Sequence, residues 1–181
     1  MTKNTLFIQA GGDGGYEADE KLVASLQKEL GTDYKVHYPR LASDEDLPDF
    51  GWPQQIGKEI HSITGELTLV AHSLGASMLL KCLSENRFEK DIKGIFLMAA
   101  PFWSGDENWK QGLKLNQGFE NKLPENVPLF LYHCRDDEEV PFSHLSIYRQ
   151  KLPKATVRET ESGGHQFNND LSEVAEDIRS Q

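Results

Sequence analysis

The chain has no run of 18 or more apolar residues, so nothing in it can cross a bilayer as a helix. Cysteine is scarce. Cys82 and Cys134 are the two present, and they fall in an expected helix and an expected strand. They read as reduced, buried thiols of a cytoplasmic protein, and the ligand spacing of a zinc site is absent. Basic residues are in deficit: 19 Lys and Arg against 29 Asp and Glu give a formal net charge of −10. Nucleic acid and anionic lipid both require clustered cations, so neither is an expected partner, and the acidity reads as solubility. A charged segment followed by a long apolar stretch is also missing, since Met1-Thr2-Lys3-Asn4 leads directly into Leu6-Phe7-Ile8. No secretory leader is therefore expected, and the expected location is cytoplasmic. There is no internal repeat and no low-complexity tract. At 181 residues the simplest expectation is one domain over 1–181, burying roughly 70% of its unfolded surface.

What the chain does have is an alternation of strand and helix patterns. Leu6-Phe7-Ile8 reads as a first strand, then helical periodicity runs through Leu22, Val23, Leu26 and Leu30 to a stop at Gly31. Tyr34 to Tyr38 alternates like a second strand closed by Pro39. A helix through Ile56, Ile60 and Ile63 follows a polar loop over 41–53. Later come a continuous apolar run from Ile92 to Ala99, a strand from Val127 to Tyr132, a helix from Val140 to Leu152, a short strand from Ala155 to Glu159 and a last amphipathic helix over 167–179. Continuous apolar strands are buried on both faces. The expected fold is α/β: a three-layer, doubly wound sandwich of about six mostly parallel strands with helices on both faces.

Residues 66–78 are the most informative stretch. The apolar run Leu67, Leu69, Val70 ends at Ala71-His72-Ser73-Leu74-Gly75, and helical spacing resumes at Met78, Leu79, Leu80 and Leu83. That is a strand, a sharp turn and a helix with Ser73 at the apex. A nucleophile on such a strained turn crowds the positions two before and two after it, and both are small here. The turn lifts the hydroxyl off the sheet and aims free helix N–H groups at whatever it attacks.

Ligands of parallel sheets gather at the carboxyl ends of strands. Past the first strand lies Ala10-Gly11-Gly12-Asp13-Gly14-Gly15, past the fifth lies Asp136-Asp137, and past the sixth lies Gly163-Gly164-His165. Serine needs an adjacent base, histidine can take and return a proton near neutral pH, and a carboxylate can fix the tautomer of that histidine. Ser…Asp…His in chain order is the order of a known hydrolase triad. Either Asp136 or Asp137 can serve as the acid on this reading. Leu74 N–H and Gly12 N–H are the candidate oxyanion donors.

The rival readings are weaker. The glycine run fails the dinucleotide fingerprint at Glu17 and lacks the Lys-Ser/Thr of a phosphate loop, so no cofactor is expected. The four acids 136–139 read as a solvated loop rather than a metal site. His72 is expected to pack or bond locally, His133 to be a satisfied buried histidine, and His37, His61 and His144 to lie at the surface. Phe102, Trp103 and Trp109, in the aperiodic stretch after the fourth strand, are candidate walls of an acyl pocket.

These pieces resemble the α/β-hydrolase superfamily, and more narrowly its small capless serine hydrolases that include the retinoblastoma-binding hydrolases. The likeness rests on the Gly-rich loop Ala10 to Gly15, Ala71-His72-Ser73-Leu74-Gly75, Asp136-Asp137-Glu138-Glu139-Val140-Pro141 and Gly163-Gly164-His165-Gln166-Phe167-Asn168. The departures are Ala71 for the usual Gly, and Gln166 between His165 and Phe167. The resemblance implies strand order 2-1-3-4-5-6, a minimal α/β-hydrolase fold, and Asp137 rather than Asp136 as the acid, because the acid commonly stands shortly before a Val-Pro pair. It implies a serine hydrolase that cleaves a small ester, thioester or amide through Ser73, His165 and Asp137, with a small-molecule acyl substrate and neither cofactor nor metal. The alternatives are a hydrolase-fold module that binds another protein with little catalysis, and an acyltransferase using the same residues.

Overall fold

The computed structural model describes residues 2–104 and 108–181, and of residues 108–110 the backbone alone. Six strands form one parallel sheet: β1 (Lys3–Ile8), β2 (Tyr34–His37), β3 (Leu67–His72), β4 (Ile92–Met98), β5 (Leu129–Cys134) and β6 (Thr156–Thr160). Their order is β2-β1-β3-β4-β5-β6, the order that the resemblance implied. Five α-helices connect them: α1 (Gly15–Leu30), α2 (Trp52–Ser62), α3 (Leu74–Glu85), α4 (Ser143–Lys151) and α5 (Ser172–Arg179).

Side-chain alternation along the strands divides the core in two. Leu6 and Ile8 of β1, Leu69 and Ala71 of β3, and Ile95 and Leu97 of β4 face α2, α3 and α4, whose Ile56, Ile60, Leu79, Leu83, Leu145 and Tyr148 cover them. Phe7, Val70, Phe96 and Met98 point the other way, toward Leu22, Leu26 and Leu30 of α1 and Val174, Ala175 and Ile178 of α5. Every residue of β3 is buried, which explains why this central strand carries no polar alternation. At the far edge, the Arg158 guanidinium and the Tyr132 hydroxyl both donate to Asp177 and pin α5 to β5 and β6.

Helix α4 begins at Ser143 rather than Val140 and β5 runs to Cys134 rather than Tyr132, and two further differences stand out. The last helix begins at Ser172 rather than 167, because Phe167, Asn168 and Asn169 take left-handed φ values of 50°, 51° and 56°. The aperiodic stretch after β4 holds two short 3-10 turns, Asn108–Leu113 and Phe119–Asn121. Among the described residues no helix is long and apolar enough to cross a membrane.

The start of α3 is the tightest junction. A Cβ on Gly75 would stand 2.2 Å from the Gln9 carbonyl oxygen and 2.8 Å from Ile8 Cγ2, so β1 approaches this turn as closely as only a glycine allows. Gly75→Ala should therefore lose about 1–3 kcal/mol of unfolding free energy. Urea unfolding of the purified variant checks this, and an unchanged midpoint contradicts it.

Candidate active site

Because all six strands run the same way, their carboxyl ends share one rim of the sheet, and β3, β5 and β6 deliver their loops there. Ser73 follows β3 directly and has φ 53° and ψ −126°, a conformation an L-residue holds only when its surroundings impose it. Its N–H donates to the Met98 carbonyl at 2.9 Å and its carbonyl accepts from Ala76 N–H at 2.9 Å, so the turn is tied to β4 and to α3. Leu74 opens α3, and Gly11 lies against its side chain: a Cβ at Gly11 would stand 2.4 Å from Leu74 Cδ2. The glycine loop carrying Gly12 is thus pressed against the residue after Ser73.

The structure brings Asp137 and His165 together across 28 residues. His165 Nδ1 lies 3.0 Å from each Asp137 carboxylate oxygen. A carboxylate can only accept, so Nδ1 carries the proton and Nε2 keeps its lone pair. Both side chains are sealed from solvent, at 3% exposure for His165 and 0% for Asp137. His165 Nε2 has no hydrogen-bond partner among the described residues. Asp137 is itself held by Glu139 N–H at 2.9 Å and Val140 N–H at 2.8 Å, and His133 Nε2 lies 3.2 Å from its second oxygen.

These contacts set the proton affinities. Burial pushes the Asp137 carboxyl up, but the bonds from His133, His165, Val140 and Glu139 outweigh it and hold the group well below the usual carboxylate range. Burial pulls the His165 pKa down, but the bond and the charge of Asp137, with Glu139 and Asp19, outweigh it and leave the pKa above 6.5. Burial pushes the Cys134 thiol beneath this loop up to about 12, so it stays protonated and inert as a nucleophile.

The acid run is exposed to solvent at Asp136, Glu138 and Glu139, as expected, but its carboxylates are also engaged. Asp136 accepts from Gly163 N–H at 3.1 Å and Gly164 N–H at 2.9 Å, and Glu138 accepts from His165 N–H at 3.1 Å. Three consecutive acids therefore hold one loop, and Asp136 grips the backbone while Asp137 meets the imidazole. The contrast between their targets was the missing signal: side-chain acceptors opposite a Gly-Gly pair have free N–H groups to bind. His72 packs, fully buried, against the His165 and Phe167 rings, but its hydrogen bonds are distant in sequence. Its Nε2 lies 2.9 Å from the His165 carbonyl oxygen and its Nδ1 2.9 Å from Asp19 Oδ1. Since His72 precedes Ser73 in the chain, this contact brings the serine turn to the histidine loop, with the two imidazole rings 4.6 Å apart. His133 is a satisfied buried histidine, its Nε2 3.0 Å from the Val140 carbonyl. His37 is partly buried against Asn4, and His144 Nδ1 accepts from Phe102 N–H.

Of the candidate pocket residues, Phe102 stands edge-on to Tyr148 at 5.5 Å, and Trp103 Nε1–H donates to Ser77 Oγ at 3.1 Å. Both are half-buried and pack on the face of the core that α2, α3 and α4 cover. The Trp109 side chain lies outside the described residues. Groups of three or more His, Cys, Asp or Glu able to hold a metal ion are absent among the described residues.

If Asp137 sustains the His165 pKa, Asp137→Asn removes the largest effect raising it and leaves the desolvation that lowers it. The midpoint of His165 in an NMR titration should fall below the wild-type value, and an unmoved midpoint contradicts the pairing.

The family model described as serine hydrolase matches residues 19–172. Among solved structures, the esterase domain of a Rhodothermus marinus protein matches with a TM-score of 0.70 at 16% identity, over 98% of this chain and 84% of that one. The ydeN gene product of B. subtilis matches with a TM-score of 0.68 at 18% identity over the full length of both chains. Est1E from Butyrivibrio proteoclasticus matches with a TM-score of 0.69 at 14% identity, over 99% of this chain and 86% of that one. At such identities the likeness to these structures is one of fold. No curated protein matches the chain by sequence. The family model carries the serine hydrolase assignment, the solved structures carry the α/β-hydrolase fold, and neither reaches the narrower retinoblastoma-binding group.

Proposed function

Because the chain belongs to the serine hydrolase family, we propose that it cleaves a small carboxylic ester, thioester or amide through an acyl-enzyme on Ser73. The observation that carries this reading is the His165 imidazole: Nδ1 is committed to Asp137, and Nε2 is buried beside the Ser73 turn without a hydrogen bond among the described residues, with Glu139 Oε2 3.7 Å away. A ring held this way is a base waiting for one proton.

In the proposed reaction Ser73 Oγ bonds to the substrate carbonyl carbon as its proton passes to His165 Nε2. The carbonyl oxygen gains the negative charge, and the N–H groups of Gly12 and Leu74 receive it. The intermediate collapses, the bond to the leaving alcohol, thiol or amine breaks, and His165 returns the proton to that group. Water then attacks the acyl carbon, losing its proton to His165; the bond to Ser73 Oγ breaks, His165 returns the proton to Oγ, and the acid leaves. Asp137 stays ionised throughout and stabilises the imidazolium. The three groups are drawn from the chain itself, so the scheme needs neither cofactor nor metal. Phe102 and Trp103 are proposed to border the acyl side because they follow β4, the neighbour of β3 on the active rim.

Two measurements on short p-nitrophenyl esters test the scheme. Ser73→Ala should lower kcat by roughly 10,000-fold or more, and turnover that survives the substitution excludes Ser73 as nucleophile. For pH, the base must be unprotonated, and its pKa is raised, so kcat/KM should climb with pH through a midpoint above 6.5. A profile flat across about pH 5 to 8 contradicts the role of His165.

A further inference from the structure

Asp19 and His72 are fully buried polar side chains beside the site that the reaction scheme leaves unused, each at 0% exposure. Asp19 lies on α1 and His72 at the end of β3. Asp19 Oδ2 accepts from Ala10 N–H at 2.7 Å, at the root of the glycine loop. Asp19 Oδ1 lies 2.9 Å from His72 Nδ1, and His72 Nε2 lies 2.9 Å from the His165 carbonyl oxygen.

Counting protons along this line fixes its chemistry. The His165 carbonyl can only accept, so His72 Nε2 carries a proton. A single proton then sits between Nδ1 and Oδ1, whichever atom holds it. All four polar atoms are satisfied, which is the condition for burying such a pair at tolerable cost. We propose that Asp19 and His72 are a positioning pair for the hydrolysis reaction, joining the oxyanion loop at Ala10 to the backbone of the catalytic histidine. The proposal rests on the reading of His165 as the base.

The loop it holds needs such a tie. Gly163 and Gly164 have φ 148° and 60°, and Phe167, Asn168 and Asn169 are all left-handed. Non-glycine residues in that region store strain, so the loop keeps its shape only through outside contacts. His165 is gripped at its N–H by Glu138, at its ring by Asp137 and at its carbonyl by His72. The first two come from the β5 loop. Among the described residues His72 supplies the hydrogen bond that connects it to the strand that carries Ser73, and so helps set the distance between nucleophile and base. A misplacement on the order of 1 Å there costs roughly 100-fold in rate.

Two near-isosteric variants separate this role from simple stability. In His72→Asn the shorter amide can still donate to Asp19 but cannot reach the His165 carbonyl. In Asp19→Asn the amide oxygen accepts from Ala10 N–H and the amide N–H donates to His72 Nδ1, so both ties persist. Assayed on p-nitrophenyl esters well below each melting temperature, His72→Asn should lose roughly 10- to 100-fold in kcat with KM little changed. Asp19→Asn, which keeps both ties, should lose less in kcat than His72→Asn, with the pH midpoint moved down because one charge that raises the His165 pKa is gone. Wild-type kcat in a folded His72→Asn overturns the proposal, as does an Asp19→Asn loss equal to that of His72→Asn. Should His72→Asn fail to fold, long-range 1H–15N spectra of the wild type decide: residue 72 should show a protonated Nε2, and a bare Nε2 overturns the tie. Ser73→Ala is the control that keeps the two readings apart. Activity abolished there with kcat intact in His72→Asn leaves the hydrolase standing and removes the positioning pair.

Discussion

One imidazole nitrogen must keep its lone pair while buried, and the site is organised around that demand. His165 Nε2 stays free only because Nδ1 is committed to Asp137 at 3.0 Å. Asp137 can hold that post because two backbone N–H groups and His133 stabilise its charge in a place that water does not reach. Without these bonds together, burial would favour the neutral acid, and with it the wrong tautomer of the ring. The neighbouring acids extend the same logic to the backbone: Asp136 and Glu138 satisfy the N–H groups of Gly163, Gly164 and His165, so one short acidic run fixes both the loop and its side chain.

The sheet makes this affordable. Parallel strands end on a common rim, so the three proposed reacting groups need not be near in sequence. Both faces of β3 are covered, by α2 and α3 on one side and α1 with α5 on the other. A strand packed on both sides cannot relax away from the strained turn at Ser73, and Gly75 lets β1 press against that turn at backbone distance. Strain at the serine and left-handed residues after the histidine are thus offset by core packing and by charged hydrogen bonds, each acting where the backbone departs from its preferred geometry.

Much of this was legible in the residues because it depends on local pattern. Buried strands such as Ile92–Met98 announce themselves as unbroken apolar runs, and the turn at Ser73 by small residues on either side of it. The order of the strands came from the resemblance, since periodicity does not encode which strand pairs with which. Asp136 and Asp137 could not be told apart by type or spacing; only their targets differ, a glycine backbone for one and a ring for the other. His72 points to residues 93 positions away, a distance no local pattern reports. Asp19 did leave a trace: it sits on the apolar stripe of α1 with Leu22 and Leu26, where a carboxylate requires a buried partner. The last helix starts late because Phe167 to Asn169 are left-handed, a property that apolar spacing hides.

Reaction with a fluorophosphonate, followed by peptide mapping of the adduct by mass spectrometry, reaches the central claim most directly. The account predicts a single phosphonyl adduct on Ser73, formed faster as His165 loses its proton. An intact protein that takes up no adduct, or that carries it on another residue, would contradict it.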